Sequence, residues 1–212
     1  MSEPARTMVS DEQKRDAARE ILRAAARFFA DRGFDATSVR EIVEAAGVTK
    51  PTLYYHFGSK EGLAQALLSR PMRRLIEELR SIAERPGDPV EALSDQIEAH
   101  FAFCREEPDR ARFVYALFFG PNTPGLSSQV AVYGKQMTDL LNETTRRLAR
   151  SGMISEDRSR RCAAVVQGLI TIYTADYLYQ GANLETGLAR RLVEDLLLGF
   201  AADRTGVGTG NE

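Results

Sequence analysis

Cysteine is scarce in this chain: Cys104 and Cys162 are the only two in 212 residues. Two isolated thiols cannot supply a disulfide framework or a structural zinc site, and their default state is reduced. Histidine is equally scarce, with His56 and His100 alone. His100 and Cys104 stand four apart and could share a metal on one helix face, but no third ligand is near, so no metal site is expected. The sequence offers no Ser/His/Asp set and no phosphate-cradling nucleotide loop, so neither catalysis nor a cofactor is expected. Long apolar runs are also missing. The nearest, Leu169 to Tyr179, is interrupted by Thr and Asp, too short and too polar for a membrane helix. The opening MSEPARTMVSDEQ lacks the apolar core of a signal peptide, so a cytoplasmic location is expected. Finally, the formal net charge is only −2, which excludes a molecule that coats nucleic acid by charge alone.

What is present is apolar spacing near 3.6 residues throughout, with no sustained alternation of the kind a strand shows. The chain therefore reads as all-α. Ala17, Ile21, Ala24, Phe28 and Phe29 stripe a first helix closed by Gly33. A helix capped by Ser59 runs through Leu63, Leu67 and Leu68, and Pro71 is expected to kink or break it before Leu75. Arg85-Pro86-Gly87-Asp88-Pro89 is a clear interruption, followed by helices over 89–106 and 109–119. A Pro/Gly/Asn loop spans Gly120 to Gly125, and long helices are expected at 126–151, 155–180 and 184–203. Residues up to about Asp11 and from about Thr205 read as frayed tails. The division expected is a head over 12–70 and a helical body over 71–204. Lys14 to Lys60 holds nine Lys or Arg against six Asp or Glu, whereas Pro71 to Glu212 holds seventeen against twenty. That asymmetry agrees with a head that meets phosphate.

Residues 37–60, TSVREIVEAAGVTKPTLYYHFGSK, carry the most information. Ser38 and Glu41 form a capping box, so a helix starts there with two backbone amides satisfied. Val39, Ile42, Val43 and Ala46 stripe it, and Gly47 suits the left-handed turn that ends it. Thr49 caps a second helix with Pro51 in its first turn, where a missing N–H costs nothing. Leu53 and Phe57 are spaced to face inward, leaving Lys50, Thr52, Tyr54, Tyr55 and His56 mostly outward. Two helices about a tight turn, the second exposing cations, hydroxyls and aromatics, is a DNA-reading helix-turn-helix.

The stretch from Ile21 to about Leu67 resembles the DNA-binding domain of the TetR family of bacterial transcriptional repressors. The likeness rests on the helix ending in Gly33-Phe34, the turn at Gly47-Val48, and Leu53-Tyr54-Tyr55-His56-Phe57 followed by Ser59-Lys60-Glu61. It covers roughly a quarter of the chain. The resemblance implies a homodimer with an N-terminal three-helix reading head and a C-terminal helical bundle that binds a ligand and dimerises. It also implies DNA contacts from Ser38, Arg40, Lys50, Pro51, Thr52, Tyr54, Tyr55, His56 and Lys60. Lys50, Thr52 and Arg40 are expected at base edges, Tyr54 and Tyr55 at backbone or thymine methyls, and His56 and Lys60 at phosphates.

The body carries no motif of comparable specificity. Its aromatics at helical spacing are mostly core or subunit interface, but a set of them suits an apolar cavity between helices. Phe101, Tyr115, Phe119, Tyr133, Met137, Tyr173 and Tyr177 are the candidates for its lining. The small residues Ala163, Ala164, Gly168 and Ala175, with Leu192, Leu196, Leu197 and Phe200, suit a close helix interface between subunits. The function expected is a repressor released from a near-palindromic operator by a small, largely apolar effector. The alternative is a DNA-binding regulator that has no effector or works through a protein partner.

Overall fold

The computed structural model describes residues 11–199, and within them all regular structure is helical. Both expected tails, and Phe200 with them, lie outside the described residues. Nine α-helices follow in order: α1 Asp11–Arg32, α2 Val39–Ala45, α3 Lys50–Phe57, α4 Lys60–Glu84, α5 Pro89–Glu106, α6 Pro108–Phe119, α7 Leu126–Arg150, α8 Ser159–Ala175 and α9 Leu188–Leu198.

Three departures from the expected pattern have local causes. Helix α4 is continuous across Pro71, so the proline does not break it. Proline forfeits one backbone bond there, but Leu67, Leu68, Met72, Leu75 and Ile76 are all buried and hold the helix on both sides of it. The expected 155–180 helix is composite: a 3-10 turn over Glu156–Arg158, then α8, then a π-helical turn over Asp176–Gln180 closed by Gly181 at φ +74°. Helix α9 starts at Leu188 and not at Leu184, because Gly187 takes up a left-handed conformation (φ +82°) just before it.

The chain forms two compact units. The first takes in residues up to Ile76 together with Phe103–Gln136. Here α2 and α3 pack on α1, and α6 packs along α1 as well. Phe29, fully buried, stacks 5.1 Å from Phe113 of α6 and 5.4 Å from Phe34. Arg112 of α6 adds a contact of 3.8 Å to Asp31. The second unit takes in Glu77–Ala102 and the residues from Met137 onward. In it Leu93, Ile97 and Phe101 lie on the buried side of α5, as their spacing requires. Phe101 meets Tyr173 of α8 at 6.4 Å. Arg147 of α7 donates to the Ala83 carbonyl at 2.6 Å and the Gly87 carbonyl at 3.1 Å, satisfying acceptors at the α4–α5 turn.

Candidate nucleic-acid interface

The reading segment is assembled from local interactions. Ser38 is the N-cap of α2: its hydroxyl accepts from the Glu41 N–H (3.3 Å) and donates to the Glu41 carboxylate (2.8 Å). The Ser38 N–H donates to that carboxylate at 2.9 Å, so the capping box is complete. These bonds from Ser38, with a further one from Arg32 at 2.8 Å, hold the Glu41 carboxyl down at about 2. Gly47 takes φ +64°, the left-handed value that only glycine adopts freely, and turns the chain toward α3. Thr49 then caps α3, accepting from the Thr52 N–H at 3.4 Å while the two hydroxyls share a 2.9 Å bond.

Helix α3 has eight residues and buries one of them, Leu53. Everything else on it keeps accessible surface. Tyr55 is 72% exposed and Tyr54 47%, while Lys50 and Pro51 are exposed and Thr52 is half-buried. His56 is half-buried and stands edge-on to Tyr55 at 5.1 Å. Phe57, expected inward, is only half-buried. The structure thus brings Lys50, Pro51, Thr52, Tyr54, Tyr55 and His56 together on one short helix, with Arg40 exposed on α2 before it. Arg40 pairs with Glu44 at 2.7 Å, a contact that raises its pKa. An exposed pair of this kind contributes little to stability and leaves the guanidinium available to a stronger acceptor.

Two residues on the expected list have other partners. The Ser38 hydroxyl is engaged by the capping box. The Lys60 ammonium donates to the carbonyls of Phe34 and Thr37, both at 2.8 Å, and sits 4.3 Å from the centre of the Phe34 ring. It closes the α1–α2 loop against the start of α4, which leaves one N–H for any other acceptor. Residue spacing carries no sign of this clamp, because its acceptors are backbone atoms more than twenty residues away.

The residues expected to line an apolar site fall into two sets. In the first unit, Tyr115 and Phe119 have ring centres 5.8 Å apart, with Phe119 at the surface (64% exposed). Tyr133 is buried, and its hydroxyl accepts from Gln129, whose amide also donates to Ser69. In the second unit, Phe101 is fully buried, Tyr173 and Met137 are half-buried, and Tyr177 lies in the π-helical turn. Ala163 is buried within its own fold, whereas Ala164, Val165, Gly168 and Ile172 form an exposed face of α8. No helix is long and apolar enough to cross a membrane among the described residues.

Comparison with known proteins gives this geometry its context. The family model described as bacterial regulatory proteins, tetR family, matches residues 21–67, the segment that holds α2 and α3. The HTH-type transcriptional activator FasR of Mycolicibacterium smegmatis is 31% identical over 153 residues, which cover 72% of this chain and 67% of that protein. The HTH-type transcriptional repressor KstR2 of Mycobacterium tuberculosis is 39% identical over 82 residues, 39% of this chain and 41% of its own length. The solved structure of the transcriptional regulator FadR from Bacillus subtilis, in complex with stearoyl-CoA, has the same fold, with a TM-score of 0.69 and 23% identity. That match covers 86% of this chain and 99% of FadR. Because the match to FasR is far longer than the reading motif itself, the chain belongs to the TetR family and is a transcriptional regulator, not an enzyme.

Proposed function

We propose that the protein is a repressor that binds a near-palindromic operator as a homodimer and releases it when a largely apolar small molecule binds its helical body. The observation that carries the reading is α3 itself, a helix that fully buries only Leu53 and leaves Lys50, Tyr54 and Tyr55 exposed. Stability does not require such a surface, whereas a major groove does. Lys50, Thr52 and Arg40 reach base edges in this reading, with Ser38 and Pro51 beside them at the helix starts. Tyr54 and Tyr55 meet backbone or thymine methyls, and His56 and the remaining N–H of Lys60 meet phosphates. Residues 12–70 act as the reading head and 71–204 as the effector and dimerisation body.

The exposed face of α8 supports the dimer. Val165 and Ile172 are about half exposed, and a Cβ placed on Gly168 between them would meet nothing within 4 Å. A helix of a second subunit can approach closely at such a face, and two reading helices about 34–36 Å apart would enter successive major grooves. The effector is supported by the Phe101–Tyr173 pair in the second unit and by the stearoyl-CoA held by FadR, whose long apolar chain is the chemistry such rings accept. Release follows if the effector prefers a conformation whose reading heads no longer match the operator spacing. Helix α4 would carry that change, since it starts beside the reading helix and continues past Ile76 into the second unit.

The test is selection of bound sequences from random duplex DNA by the purified protein. A shared, near-palindromic site is expected, and each Lys or Arg that meets a phosphate should add about one unit to the salt slope. Weak binding with no shared motif would overturn the reading.

A further inference from the structure

The reading segment enters and leaves at one point. Its entry is Thr37, the residue before the α2 N-cap Ser38, and its exit is Lys60, the first residue of α4. These two lie 23 residues apart along the chain, yet the Lys60 ammonium donates to the Thr37 carbonyl at 2.8 Å. It donates equally to the Phe34 carbonyl and lies 4.3 Å from the centre of the Phe34 ring, so three contacts fix its place. Hydrogen bonds from a charged donor are stronger than neutral ones, and the lysine is half-buried, where water competes less.

The entry is held from its other side as well. Thr37 is 1% exposed, and its hydroxyl proton is shared between the Gly33 carbonyl at 2.9 Å and the Phe28 carbonyl at 3.2 Å, at the end of α1. The exit is held by backbone contact. A Cβ placed on Gly62, in the first turn of α4, would stand 2.1 Å from the Phe57 carbonyl oxygen at the end of α3. The two helices therefore meet as closely as only glycine permits. Between these ends, α2 and α3 have seven and eight residues and together bury Ile42, Val43 and Leu53. Helices that short do not hold a direction by themselves in water. Their orientation depends on how their two ends are tied.

We propose that Lys60 is a positioning residue for DNA reading: by joining the entry of the helix-turn-helix to its exit, it sets the angle at which α3 meets the groove. The inference rests on the DNA-reading assignment above and adds a second role to the phosphate contact. A phosphate contact holds every duplex alike, whereas base readout requires side chains in register with the base edges. Such contacts tolerate little misplacement. Opening the joint therefore costs discrimination between sequences more than it costs binding to DNA at large.

The test compares two duplexes, one carrying the site recovered by selection from random DNA and one of the same length and base composition in scrambled order. The full-length wild-type protein, Lys60→Met and Gly62→Ala are titrated against both by fluorescence anisotropy. Methionine keeps an unbranched apolar stem and removes the three donors of the ammonium. Gly62→Ala strains the same joint with no change of charge. In each variant the ratio of the two affinities should fall about tenfold. Partial unfolding lowers both affinities equally and leaves their ratio alone, so a loss of stability cannot imitate this result. An equal loss on both duplexes for Lys60→Met would mean that the lysine only meets a phosphate, and would overturn the inference. An unchanged ratio in Gly62→Ala would overturn it as well. If the wild-type protein itself prefers neither duplex, the DNA-reading assignment falls and the inference with it.

Discussion

Helices α3 and α5 follow opposite rules. Helix α3 holds on to the protein through Leu53 and turns its polar and aromatic groups outward. Helix α5 is engaged on most of its circumference, burying Ala92, Leu93, Gln96, Ile97, Ala99, Phe101 and Cys104. A helix that meets a partner from outside must be held by little and expose much. A helix that serves the core must bury much and expose little. Exposure marks α3 as the surface element, and burial marks α5 as a core element.

The largest test of that contrast removes the anchor. Leu53→Ala should cost about 2–5 kcal/mol, since the side chain is fully buried and α3 has no other buried residue. Hydrogen exchange should rise across α2 and α3, operator binding should be lost, and α5 amides should keep their protection. Loss of protection in α5 to the same degree would show that α3 is not held independently.

A smaller effect separates reading from folding. Lys50→Ala should weaken operator binding by about 1–3 kcal/mol while the melting temperature stays put. Gln96→Leu should leave the melting temperature unchanged or raise it, because it removes an unpaired buried acceptor. A marked fall in melting temperature for Gln96→Leu would mean that the amide is needed by the core.

The smallest effect is electrostatic and local. The Glu41 carboxyl sits at about 2 against an ordinary value of 4.5, so its pKa is lower folded than unfolded. Its contribution is therefore complete above pH 4.5 and is lost as the pH falls toward 2. Circular dichroism of Glu41→Gln should show a shallower acid dependence in that window than the wild-type chain. Identical acid curves would mean that the capping box adds nothing to stability.

Much of the reading head could be recognised from residue order because its determinants are local. Ser38 with Glu41, Thr49 with Thr52, and Gly47 in its turn act within four or five residues, and the structure forms those caps and that turn where the sequence places them. Lys60 shows where local reading stops. The family resemblance implies a phosphate contact there, and the structure adds that its ammonium reaches carbonyls 26 and 23 residues back. Pro71 shows the same limit, since burial on both sides of it outweighs a local propensity to break. Gln96 was invisible for a related reason: one polar residue among Leu93, Ile97 and Phe101 reads as the edge of an apolar stripe.

The order of residues alone determined the helical class, the reading motif and the family likeness, since all three depend on periodicity, capping and short-range turns. Tertiary structure alone decided which polar atoms found partners. It gave Lys60 two carbonyls and left Gln96 Oε1 with none. Hydrogen-bond satisfaction is set by atoms distant along the chain meeting in space, and no spacing rule encodes it.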